Sequence, residues 1–134
     1  MVKFIPAIVW AVMVAVLCLL PQSAIYNPGF LHKLPADKLV HTGMFFILCF
    51  LSCRGLEFRM PFRFTQYATR ILTLFILLAA YGALTELAQG WFTKTRHTEL
   101  LDFVADCTGI ALGFLAYLLL HRKKLINKKE YIRY

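Results

Sequence analysis

Four apolar blocks separated by short polar stretches restrict this chain more than any other feature. Three are plain: "FIPAIVWAVMVAVLCLL" (4–20), Ile71–Phe92, and "LLDFVADCTGIALGFLAYLLL" (100–120). The fourth, "LVHTGMFFILCFLSC" (39–53), extends to about 18 residues if Asp37 and Lys38 begin its helix. At ~1.5 Å per residue that is ~27 Å, just enough to cross a bilayer. A chain of 134 residues that is 60% hydrophobic, with mean hydropathy +0.64, lacks the polar surface of a soluble domain this small. The expected fold is therefore all-α, a four-helix transmembrane bundle. Lys3 and the first apolar run fit a signal peptide. The run is long for a signal core, however, and Gln22 stands where a small residue is usual before a cut after Ala24. A retained helix is the better reading.

The net charge of +8 suits topology better than nucleic acid in such a chain. Four spans put both termini and the middle loop on one side. That side holds Lys3, then Arg54, Arg59, Arg63 and Arg70, then Arg122, Lys123, Lys124, Lys128, Lys129 and Arg133. The other side holds only Lys33, Lys38, Lys94 and Arg96. The positive-inside rule then predicts that both termini are cytoplasmic. A short helical or amphipathic loop joins helices two and three. Its sequence, "RGLEFRMPFRFTQYATR", is expected to lie on anionic inner-leaflet lipids, and the tail "HRKKLINKKEYIRY" to anchor at the same surface. The domain division is a four-span unit, 1–121, and a basic cytoplasmic tail, 122–134.

The same orientation gathers the unusual residues into one outer layer. Asp37 and His41 are i,i+4, Glu86 and Gln89 are i,i+3, and Asp102 and Asp106 are i,i+4, so each pair shares a helix face. The third-helix face continues through Gly82 and Thr85; the fourth continues through Ala105, Gly109, Gly113 and Ala116. Small residues at such spacing let neighbouring backbones approach closely. These faces should therefore point into the bundle, with Lys38 at its rim and Arg96 in the short outer loop. Glu86 lies ~9 Å from the end of its apolar run. An ionised carboxylate at depth costs about 2.5–3.5 kcal/mol or more unless paired or hydrated. Crowded carboxylates do not all ionise, so this layer needs a proton or a cation.

Plainer readings stand beside this. Asp37, after Pro35, suits a helix first turn. A lone Arg96 is by default an exposed loop cation. Cys18, Cys49, Cys53 and Cys107 all sit within apolar blocks and read as small buried hydrophobes. Cys49 and Cys53 are four apart, but no second pair completes a metal site. No metal or cofactor is expected. An ion held by oxygen ligands and His41 is a weaker variant.

Four segments also carry a resemblance. They are a first helix with Trp10 ending at Pro21, "DKLVHTGMFF", "YGALTELAQGWF", and "RHTELLDFVADCTGIALG". In this order the chain resembles the VanZ-like family of small bacterial membrane proteins. The family positions fall on Asp37, Lys38, His41, Glu86, Gln89, Arg96, Asp102 and Gly109. Asp106 stands where the family more commonly has Asn, and "FTKT" lacks the Pro or Gly often found before the arginine. The resemblance implies a multi-pass protein of the bacterial cytoplasmic (inner) membrane, linked to the cell envelope and to resistance to teicoplanin.

Two functions stay open at this stage. In one, the outer layer binds or acts on a membrane lipid or lipid-linked envelope precursor. His41, oriented by Asp37, would be a general base, with Glu86 or Asp102 as partner acid. Arg96 and Lys38 would grip an anionic headgroup, and Gln89 and Asp106 would complete the binding set. In the other, the layer is a non-catalytic hydrogen-bond network that shapes the bundle or organises lipid. A proton relay is a third, weaker reading, because the inner half offers no continuing polar path.

Overall fold

A computed structural model describes residues 2–19, 36–57, 64–92 and 100–131, with side chains described for 3–19, 37–56, 68–92 and 100–120. The described residues are all helical. A 3-10 turn, Val2–Phe4, leads into α1, Ile5–Leu19; α2 is Ala36–Glu57, α3 is Phe64–Phe92 and α4 is Leu100–Tyr131. Arg96, the 93–99 loop and residues 20–35 lie outside the described residues, as does 58–63 of the middle loop.

Three helices, α2, α3 and α4, are long and apolar enough to cross a membrane. α1 is apolar but has only 15 residues, or ~22 Å. Of the four spans expected from the sequence, three are thus long helices, and the first is shorter among the described residues. The first residues wind as a 3-10 turn. Pro6 is tolerated in the first turn of α1, where its missing N–H has no helical acceptor to lose. At the far end, α4 continues unbroken through the first part of the basic tail to Tyr131.

The contacts set the helix directions. Phe4 reaches Gly55 and Trp10 reaches Met44, so α1 and α2 are antiparallel. Tyr81 reaches Ala11 and Gln89 reaches Cys18, so α1 and α3 run parallel. Thr42 meets Gly109 and Phe46 meets Gly113, so α2 and α4 run parallel. The bundle therefore alternates up and down. The C-terminal ends of α1 and α3 and the N-terminal ends of α2 and α4 gather at one end.

α2 is the central helix and the most buried of the three long ones. Its tightest contact is with α4. A Cβ on Gly109 would collide with the Thr42 carbonyl oxygen, and one on Gly113 with the Phe46 carbonyl oxygen. The small-residue face predicted for α4 thus lets two backbones touch. Phe45, Leu48, Cys49 and Cys53 fill the core below, with Val14, Cys18, Leu78, Ile110 and Tyr117.

Outside this core the surface is apolar. Ile8, Val12, Leu72, Ile76, Leu84, Leu112, Leu115 and Leu119 are all exposed. In water such a continuous apolar exterior would drive aggregation; in lipid it costs nothing. Length, composition and exterior together make this a membrane protein.

Candidate functional site

The end where α2 and α4 start is the polar end. Asp37 lies in the first turn of α2 and Asp102 in the first turn of α4, where acids complement the helix dipole. One turn deeper on the same faces stand His41 and Asp106. The parallel α2–α4 contact brings these faces together, and α3 closes the group with Thr85, Glu86 and Gln89.

His41 is the hub. Its Nδ1 is hydrogen-bonded to Asp106 Oδ1 at 2.9 Å and lies 3.5 Å from Glu86 Oε1. Three helices therefore meet at one ring nitrogen. His41 is 1% exposed, Glu86 2% and Asp106 0%. Nearer the end of the bundle, Lys38 Nζ donates to Asp102 Oδ1 at 2.9 Å. Asp102 is buried while Lys38 is half-buried. The carboxylate of exposed Asp37 comes within 4.8 Å of a His41 nitrogen and an Asp102 oxygen.

Lys38 pairs with Asp102. His41 faces both Glu86 and Asp106, so two acids share one imidazole. Asp106 Oδ2 is fully buried and has no hydrogen-bond partner among the described residues. It lies against Gly82, where an added Cβ would stand 3.0 Å from it. Gly82 thus makes room for the carboxylate.

Other polar groups of the layer serve the backbone. Gln89 Nε2 donates to Cys18 O at 3.0 Å. Cys18 is in the last described turn of α1, so Gln89 ties α3 to that helix. Thr42 Oγ1 donates to Ala105 O at 3.2 Å, and Thr85 Oγ1 to Gly82 O within its own helix. Deeper, Tyr81 OH donates to Ala11 O at 2.6 Å and Trp10 Nε1 to Met44 O at 2.9 Å. These two bonds fasten α1 to α3 and α2.

Asp37, Lys38, His41, Glu86, Gln89, Asp102 and Asp106 thus gather at one end, as the helical spacing implied. Their pairings add detail to that reading. His41 Nδ1 is hydrogen-bonded to Asp106, and the Asp37 carboxylate to which sequence reasoning pointed lies within 4.8 Å of a His41 nitrogen. Lys38, assigned to an anionic ligand, is turned onto Asp102. The described cluster is closed, and only Asp37 and part of Lys38 reach the surface. Sequence reasoning missed the latches from Trp10 and Tyr81. Their signal was available, since a buried indole N–H or phenol in an apolar run needs an acceptor.

No family model, characterised protein or solved structure matches this chain. The likeness to VanZ-like proteins therefore rests on the four sequence segments alone.

Proposed function

We propose that this chain is a VanZ-like, multi-pass protein of a bacterial cytoplasmic membrane, with both termini in the cytoplasm. Its polar end faces outward and binds or acts on a membrane lipid or lipid-linked envelope precursor, in the setting of glycopeptide (teicoplanin) resistance. One observation carries this reading. The buried His41–Glu86–Asp106 group leads to the bundle end through the Lys38–Asp102 pair. Buried charge in a membrane helix is costly, and its usual return is function. Placement of the basic residues supports the orientation. Lys3, Arg54 and Arg70 are exposed at or near the opposite end of the bundle, where anionic inner-leaflet lipids would meet them.

The chemistry assigned to this reading is acid–base. His41, held by Asp106, takes or gives a proton, with Glu86 as its partner acid. Arg96 is the proposed headgroup contact, joined by Lys38 if an anionic ligand displaces Asp102. The deciding experiment compares membrane lipids of cells carrying wild type and Glu86→Gln. A lipid or precursor species that changes with wild type alone supports action on it. Unchanged species with one retained on the purified protein support binding without reaction. Glu86→Gln and Arg96→Ala are both expected to abolish any teicoplanin phenotype while still inserting. Full activity of both variants would end the reading.

A second reading has its own support. His41, Glu86 and Asp106 are closed to solvent, and Gln89 serves α1. A purely structural network would be built this way. It predicts that Glu86→Gln lowers thermal stability and leaves the lipid profile untouched.

A further inference from the structure

We propose that His41, Glu86 and Asp106 form a binding site for one divalent transition-metal ion, of the zinc or manganese type. The three side chains come from α2, α3 and α4 and are all buried. Their nearest ligand atoms lie within 4.8 Å of one another. The separations from Nδ1 are 2.9 Å to Asp106 Oδ1 and 3.5 Å to Glu86 Oε1. Ligand bonds of ~2.1 Å put neighbouring ligand atoms ~3.0 Å apart in octahedral geometry and ~3.4 Å in tetrahedral geometry. Both separations are of the size that ligands of one ion adopt; the ion would replace the Nδ1–Asp106 hydrogen bond, with the ring turning to aim Nδ1 at it.

A second observation points to a ligand independently of this convergence. Asp106 Oδ2 is fully buried and accepts no hydrogen bond from any described residue. An ion on Oδ1 would draw charge from the whole carboxylate and lower the cost of that unanswered oxygen. The outer trio of Asp37, His41 and Asp102 also converges, but it includes exposed Asp37, whereas all three residues of the inner group are buried.

Donor type selects the ion. One imidazole nitrogen with two carboxylates suits zinc, manganese or ferrous iron. Calcium takes six or more oxygens, and magnesium prefers oxygen ligands over an imidazole nitrogen. As a ligand, Nδ1 would carry no proton; the ring proton would sit on Nε2. A bound ion would take the place of the proton between His41 and its two acids, so it is an alternative to the acid–base role assigned to these groups above, and metal binding is measured separately from any lipid effect.

The test uses untagged, full-length protein in detergent, stripped with chelator and titrated with Zn²⁺ or Mn²⁺ by calorimetry and thermal melting. Wild type should bind one ion per chain and melt at a higher temperature with it. Asp106→Asn keeps the shape and an oxygen toward His41 but loses the charge. It and Glu86→Gln should bind at least ~10-fold more weakly, with the metal-dependent rise in melting temperature lost. Their melting without metal shows that they fold. Replacing His32, His97 and His121 together should leave binding unchanged, which separates this site from adventitious binding at other histidines. Absence of stoichiometric binding by wild type would overturn the proposal. So would equal binding by wild type, Asp106→Asn and Glu86→Gln, or loss of binding in the triple histidine variant alone.

Discussion

The two ends of the α2–α4 contact are built on the same glycine-lined seam and solve opposite problems. At one end Lys38 and His41 face Asp102 and Asp106. Toward the other, Cys49, Ser52 and Cys53 of α2 occupy the same protein interior with Tyr117 of α4. There Ser52 Oγ donates to Leu48 O of its own helix at 2.7 Å, and Phe50 meets Tyr117 edge-on, with ring centres 6.5 Å apart. The neutral end satisfies its hydroxyl within one helix and packs the rest as hydrophobes. The charged end satisfies its charged groups across helices. A polar layer of that kind depends on the bundle's register, while a neutral one tolerates small shifts.

The comparison breaks most sharply at His41. His41→Leu leaves Glu86 and Asp106 without their shared partner in a closed site. Loss of about 3–5 kcal/mol is expected, as for breaking a buried ion pair. Reversible unfolding in mixed detergent micelles would measure it; a loss below ~1 kcal/mol would mean that the charged end is not charged. Gly109→Val should come next, at about 1–3 kcal/mol, because its Cβ meets backbone that cannot swing away. It lies on the seam, so it should also weaken Zn²⁺ binding at His41, whereas Leu78→Ala, in the core beyond, should cost stability without that effect. Lys38→Gln is expected to cost about 1 kcal/mol or less, since the half-exposed ammonium is partly screened. Ser52→Ala should be the mildest, within about 0.5 kcal/mol, because its hydroxyl serves only its own helix. If Ser52→Ala matched His41→Leu, the contrast between the two ends would be lost.

Orientation offers a sharper test of the other half of the comparison. A reporter fused after Tyr134 should read as cytoplasmic. An extracytoplasmic signal would put the charged end on the cytoplasmic side and remove the proposed link to envelope precursors. α1 matters here, because its 15 residues decide whether the chain crosses the membrane three or four times. Tyr81→Phe and Trp10→Phe remove its latches to α3 and α2. Together they should loosen α1, seen as faster protease or thiol-probe access at Cys18, while Zn²⁺ binding persists.

Much of this arrangement was legible without coordinates. The apolar blocks announce helices because lipid leaves the backbone no other partner than itself. The spacing of Asp37 with His41, Glu86 with Gln89, and Asp102 with Asp106 puts each pair on one face, and alternating helix direction brings those faces to one end. Gly109 and Gly113 mark the seam. All of these follow from the 3.6-residue period, which is a local property of the chain. Which group answers which is a different matter. It depends on how far α4 slides and turns against α2, a rigid-body choice made where Gly109 meets Thr42 and Gly113 meets Phe46. That choice put Asp106 on His41, turned Lys38 to Asp102, and left Gln89 to tie α3 to α1. It also closed the group from solvent. Sequence alone determined the helices and their polar faces, because periodicity is local; tertiary packing decided the partners, because a hydrogen bond between helices exists at only one register.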